Sequence, residues 1–360
     1  MKALFKNGIL TAAVSTVLLS GCMNTTKVEN KVDVITNPSY IVNLPESQFM
    51  PSKAELMGGQ KSVVVLPVKI DSNANFETGA VREISSELEN GLNDAGAEIV
   101  DRSLASKLGD EILAYEATGQ FSGAGIDVAD TAILPTIHNV AISKSFSPAS
   151  SYTDDDGKKH YTPAKCSYEA VVTGNLKLYQ LPELTQTEAL NFKGDASSSL
   201  SINNSSCPIS QDMAYSLASQ ASGNGVYNIL PEVQKNFSQT GYVMEYRKRG
   251  DLHLVNITLG TSQKLREGQK IKFATMHAKA DHTTGKSTLM ALDYDFEGVV
   301  SDMIDANSAW VIIDEEAEGQ LKKGDVAKTF FEQSFMDQMM RAGSTGSSTG
   351  LMKSLKNSFN

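Results

Sequence analysis

Apolar and polar positions change period several times along the chain, and each change predicts an element. Val63-Val64-Val65-Leu66 is an unbroken apolar run closed by Pro67, the pattern of a strand covered on both faces. From Thr78 the period lengthens: Val81, Ile84, Leu88 and Leu92 share one helical face, and Gly96 stands where a helix would stop. Ala97 to Val100 predicts a second short strand, and Ser103 can cap a helix carrying Leu104, Leu108 and Ile112. A third strand runs from Thr131 toward Ile142, through His138. Ser167 to Gln180 then alternates strictly, with Tyr168, Ala170, Val172, Leu176 and Leu178 on one face; Leu181 to Thr185 turns, and Glu188 to Ala196 returns as a hairpin partner. A long helix begins near Ser210, carries Met213, Leu217, Val226 and Ile229, bends around Gly223 to Gly225 and ends by Pro231.

Past residue 240 the pattern becomes short strands punctuated by glycine. His253 to Leu259, Lys270 to Ala274 and Ser308 to Ile313 predict a small β-barrel or sandwich. From Phe330 to Arg341 the apolar positions Phe331, Phe335 and Met339 fall at helical spacing, giving either a lid on the barrel or a helix for a partner; a Gly/Ser/Thr tail follows. The fold class is therefore α+β: a mixed β-sheet with packed helices, then a small β-domain. The boundaries are 61–240 for the α/β domain, 241–329 for the β-domain and 330–360 for the amphipathic segment and tail.

The N-terminus changes the setting. Lys2 and Lys6 precede an apolar run from Ile9 to Leu19, shorter than a permanent membrane span, which is the build of an export signal over 1–21. Leu19-Ser20-Gly21-Cys22 resembles the bacterial lipobox, which implies cleavage before Cys22 and acylation of that residue. Met23, where an Asp would mark inner-membrane retention, implies sorting to the outer membrane. A plain secreted protein is the other reading. Residues 22–60, broken by Pro38, Pro45 and Pro51, read as a flexible tether, although Val32 to Ile35 and Tyr40 to Leu44 could dock locally.

Charge and cysteine content narrow the chemistry. The formal net charge of −10, which becomes −12 once Lys2 and Lys6 leave with the signal, disfavours nucleic acid as a partner. With Cys22 acylated, Cys166 and Cys207 remain as an even pair in an oxidising compartment, where a disulfide is expected; two separate thiols are the alternative. Five scattered histidines predict neither a metal site nor a cofactor. Gly346 to Gly350 matches G-x-S-x-G inside a low-complexity tail, Gly285-Lys286-Ser287 lacks the first glycine of a phosphate loop, and the Asp154 to Asp156 run lacks the spacing of a calcium loop. His138 reads as a sheet histidine, and His277 with His282 as at most a weak metal pair.

Val63 to Pro67, Leu92-Asn-Asp-Ala-Gly96, Ile99-Val-Asp-Arg102 and the Leu-Pro-Glu-Leu-Thr hairpin resemble the CsgG-like lipoprotein superfamily, over about residues 60–240. Asn256-Ile-Thr-Leu-Gly260, Leu265-Arg-Glu-Gly-Gln269 and Leu321-Lys-Lys-Gly-Asp325 resemble the small C-terminal β-domain of the flagellar ring protein FlgT. With the lipobox, the resemblance implies a periplasm-facing, outer-membrane-anchored lipoprotein acting as an adaptor or ring component of an envelope assembly, and because no catalytic set converges in the sequence, binding rather than turnover is expected. Its partners would be periplasmic envelope proteins or further copies of itself, with Phe331, Phe335 and Met339 as a candidate partner surface. An oligomeric secretion channel of the CsgG type is the alternative, but the loop that would supply membrane strands, Ser147 to Lys165, is polar.

Overall fold

The computed structural model describes residues 26–57, 59–71, 77–100, 108–112, 114, 118, 129–280 and 287–333. In chain order, α1 (Lys31–Thr36), β1 (Ile41–Val42) and α2 (Lys53–Met57) precede β2 (Ser62–Val65), β3 (Lys69–Ile70), α3 (Glu77–Asp94) and β4 (Glu98–Ile99). Then come β5 (Thr131–Ser147), β6 (Ser150–Thr153), β7 (Lys159–Thr162), β8 (Lys165–Gln180), β9 (Thr185–Leu200) and α4 (Gln211–Asn236). Last are β10 (Thr240–Arg249), β11 (Leu252–Ile257), β12 (Lys270–Ala280), β13 (Ser287–Ile304), β14 (Ala309–Ile313) and β15 (Val326–Phe330).

The first sheet runs β4-β2-β5-β8-β9, with β3 also on β5; β2 is parallel to β4 and β5, and the remaining long pairs are antiparallel. The apolar run of β2 is explained by its two neighbours. Val63 and Val65 join the core beneath α3 and α4, whereas Val64 and Leu66 face Leu108 and Ile112 on the opposite side. In α3, Ala80, Ile84, Leu88 and Leu92 are fully buried. The helix ends where Gly96 takes φ +83° and Ala97 N–H bonds Leu92 O while Gly96 N–H bonds Asn93 O, a Schellman turn that needs a residue without Cβ strain.

The alternating face of β8 packs under α4, and both are closed by the Cys166–Cys207 disulfide, with Cα atoms 5.5 Å apart. Joining residues 41 apart would stabilise by about 4 kcal/mol on loop entropy. Around it, Tyr168 Oη donates to Pro208 O and Lys144 Nζ to Ser206 O, so the segment before α4 is pinned to β5 and β8. Ser210 caps α4 by accepting from Met213 N–H. Pro231 lies inside α4 rather than ending it: the helix continues to Asn236 because Val233, Gln234 and Phe237 beyond it are buried in the core.

The β-domain is a closed barrel, in the order β10-β11-β14-β13-β12-β15 and back to β10. Closure removes free edges from the ring, and Val243, Val255, Phe273, Phe296, Val300 and Val311 fill its interior. The Leu-x-x-Gly-Gln/Asp segments form matching turns. Gly268 and Gly324 take positive φ, Arg266 N–H bonds Gln269 Oε1, and Lys322 N–H bonds Asp325 Oδ2.

Residues 26–49 correct the expectation of a tether. Val28 and Val34 are buried with Leu254, Met303 and Trp310 on the outside of the barrel. Arg247 donates to Val34 O, β1 pairs with β10, and Ser47 N–H bonds Lys323 O. This segment is a strap lying across the barrel, and the two short stretches that could dock are part of it.

Candidate interaction surfaces

The first surface is an arm of the sheet. β3 releases β5 at Ile137, yet β5 runs on to Ser147 beside β8 and β9. Among the described residues no strand pairs with the side of β5 away from β8 beyond Ile137, or with the outer side of β9. Such edges offer unpaired N–H and C=O groups to another chain. At the end of the arm, β6 and β7 form a hairpin whose Tyr152 and Tyr161 are 63% and 72% exposed. The polar loop read from the sequence is therefore ordered. Asp154 accepts from Lys158 N–H and sits 2.7 Å from His160 Nε2, while Tyr152 stacks on the His160 ring. The His160 hydrogen bond, helped by Lys158 N–H, holds the Asp154 carboxyl below its usual range.

The second surface is a cleft of about 490 Å³ between the C-terminal end of α4 and the outer wall of the barrel. Pro231, Phe330 and Phe331 give it an apolar wall, and Lys235, Lys272 and Lys328 a cationic one. Lys272 lies 3.8 Å from the Phe330 ring centre and 3.7 Å from Glu297, whereas Lys235 and Lys328 have no ion-pair partner among the described residues. Beside it, burial and the nearby Lys328 push the Lys61 ammonium pKa down; Lys61 donates to Asn236 O at the end of α4.

The third surface is the β12–β13 hairpin beyond the barrel wall. Leu289, Met290 and Leu292 are exposed on it, and because Met290 pairs with His277 and Leu289 with Ala278, both faces carry apolar groups.

The expected site residues divide between these places. Phe331 is partly buried against the sheet core and lines the cleft, and it is not in a helix: Phe330 ends β15, and residues 331–333 have no regular structure. The helical stripe thus does not begin at Phe330, because β12 holds Phe330 in its ladder. Cys22, Phe335, Met339, His282, Gly285 to Lys286 and Gly346 to Gly350 lie outside the described residues. His138, which had no partner by spacing, sits at a β-bulge of β5 and meets Asp71, just past β3, at 3.0 Å; burial opposes but the His138 and Lys69 contacts hold the Asp71 carboxyl below its usual range. In the barrel, Tyr246 Oη is 2.6 Å from His253 Nδ1, and Tyr294 donates to Asp325. These are buried pairs that tie strands together. No group of three metal ligands occurs among the described residues.

Neither the cleft, the arm nor the strap was legible as a site in the sequence. The cleft draws on residues 231–238, 272–274, 291–293 and 326–331, which only the closure of the barrel brings together.

No family model matches the chain, and no curated protein matches it. Solved structures align with it at low scores. Lipoprotein GNA1162 from Neisseria meningitidis aligns with 11% identity and a TM-score of 0.23, over 41% of this chain and 88% of that one. The hypothetical protein CT253 from Chlamydia trachomatis gives 10% and 0.29, over 49% and 97%. A minor lipoprotein from Acinetobacter baumannii gives 8% and 0.25, over 49% and 93%. Likeness at these scores establishes neither a shared fold nor a shared role.

Proposed function

We propose that this chain is a lipoprotein of the bacterial envelope, held at the outer membrane through Cys22, that acts without catalysis as an adaptor or ring component of an envelope assembly. The observation that carries it is the arm: a three-stranded extension of the sheet, tied near its far end by the Cys166–Cys207 disulfide and tipped with exposed tyrosines. Strand edges give main-chain hydrogen bonds, and tyrosines supply large contact area at low entropic cost, so this is a surface suited to protein contact. The disulfide suits an oxidising compartment. The channel alternative draws no support from β6 and β7, which have four residues each where a membrane-crossing strand needs about 9–11.

Two measurements test the reading. Radiolabelled palmitate should enter the wild-type chain and not the Cys22→Ala variant; an unlabelled wild type overturns the anchor. Chemical cross-linking in intact cells should join the arm to a neighbouring envelope protein or a second copy, and Tyr161→Ala should weaken that product severalfold. A monomer that cross-links to nothing overturns the adaptor role.

A further inference from the structure

The strap fixes how far the folded protein can stand from its anchor. Asp302 N–H bonds Thr26 O at 3.0 Å, Val28 N–H bonds Asp302 Oδ1 at 3.2 Å, and Lys31 Nζ lies 2.5 Å from Asp302 Oδ2. Thr26 Oγ1 also donates to Glu267. The chain is therefore seated on the barrel from Thr26 onward, four residues after Cys22. Four fully extended residues reach about 14 Å, well short of the reach of a 38-residue flexible segment.

Asp302 holds Thr26 through its backbone N–H and Val28 and Lys31 through its carboxylate, so α1 begins beside the point where the chain arrives from Cys22. On α1, Val34 packs against the outside of the barrel while Val32 and Ile35, three residues apart on the other side, are 75% and 38% exposed. Exposed charges of both signs flank them, Lys27 and Lys31 with Glu29 and Asp33, and Lys31 is paired with Asp302, so the apolar pair and not charge marks this face. A short leash to the anchor and an outward apolar pair beside the point where it arrives fit one occupant, a lipid surface.

We propose that the strap is a second membrane contact: Val32 and Ile35 enter the lipid interface next to the anchor, and the barrel is held flush against the bilayer. The inference rests on the anchor at Cys22, yet its geometry can be tested with a lipid supplied chemically. The mature chain, with Cys166 and Cys207 bonded, offers Cys22 as its one free thiol for coupling to a maleimide phospholipid in phosphatidylcholine vesicles. Trp310, the sole tryptophan and 7% exposed, sets the baseline emission of the parent protein. In vesicles of dibrominated phosphatidylcholine, the tryptophan added by Val32→Trp should lose about half its emission, since bromines quench only groups that enter the acyl boundary. Ile35→Trp should behave alike, and Tyr161→Trp on the distant hairpin should not change. If Val32→Trp and Ile35→Trp are quenched no more than Tyr161→Trp, the flush arrangement is wrong. The mass of the N-terminal peptide from cells reads acylation separately: an unmodified Cys22 would sink the anchor while leaving the measured geometry standing.

Discussion

Gly194 and Gly225 meet where α4 crosses β9, and the contact shows why a helix tolerates glycines that cost it intrinsic stability. A Cβ on Gly194 would lie 1.9 Å from Ala221 O and 2.3 Å from Gly225 N, backbone atoms that cannot swing aside. Gly194→Ala should therefore cost about 3 kcal/mol or more, measured by urea denaturation. Gly250→Ala makes a control: its φ is +58° and nothing lies within 4 Å, so only backbone strain is added, about 1–2 kcal/mol. Equal losses in the two variants would refute the close approach. The phenols of the barrel supply a pH dependence. Burial, then Glu318 and Glu315, pushes Tyr246 to about 12, and burial together with Asp325 pushes Tyr294 up as well. A pKa raised on folding favours the protonated native state. The stability it contributes is whole below the unfolded value near pH 10 and declines as pH rises from there toward 12. The urea midpoint should fall between pH 9 and pH 11, and Tyr246→Phe should shrink that fall even though losing the His253 contact lowers its midpoint at pH 9.

Among the elements, the strap rests on two buried valines, of which Val34 is the deeper. Val34 is 1% exposed against Leu254, Met303 and Trp310. Val34→Asp places an unpaired carboxylate there, so hydrogen exchange should accelerate across residues 26–42 while amides of β11 and β14 keep their protection. Acceleration spread evenly over the barrel would mean the strap is an integral part of its core. Acid should reach the same state. Burial alone would raise the Asp302 carboxyl, but Lys31 and Val28 N–H outweigh it and hold the pKa low. That contribution is present above the ordinary carboxylate value and is lost as pH falls through the depressed one, so the strap loosens only below about pH 4. The strap also marks the limit of what the sequence disclosed. The core positions of α3 and β8 were legible because their burial repeats at the period of their own backbone. Val28 and Val34 show no period; Arg247, which holds Val34 O, lies 213 residues away. Phe331 failed for the opposite reason. Its spacing to Phe335 and Met339 suits a helix, and only the pairing of Phe330 with Lys270 reveals where the strand ends.

At the scale of the molecule, the sheet and the barrel each have their own core, and the question is what makes them behave as one body. Arg266–Asp94, at 2.7 Å, is the obvious tie, but both side chains are more than half exposed and such a pair contributes about 0–1 kcal/mol. The buried tie is Gln239 with Thr329. Gln239 N–H donates to Thr329 Oγ1 at 2.8 Å, and Thr329 N–H returns a bond to Gln239 O at 3.0 Å, at the point where α4 hands the chain to β10. Replacing the hydroxyl with a methyl leaves a buried N–H without its acceptor, a penalty of about 1–3 kcal/mol placed on the joint rather than in either core. Two signals report the halves separately: helical ellipticity follows α3 and α4, while emission from Trp310 follows the barrel. In wild type the two unfolding curves should coincide. Thr329→Val should pull them apart, with one half melting first, and Asp94→Ala should leave them together. Coincident curves in Thr329→Val would refute the Gln239–Thr329 joint and leave the coupling with other contacts such as Lys264 Nζ to Ala97 O, and separation in Asp94→Ala would place it in the exposed ion pair. The proposed adaptor role depends on this result: a displacement received by the arm reaches the strap only if the joint between sheet and barrel holds.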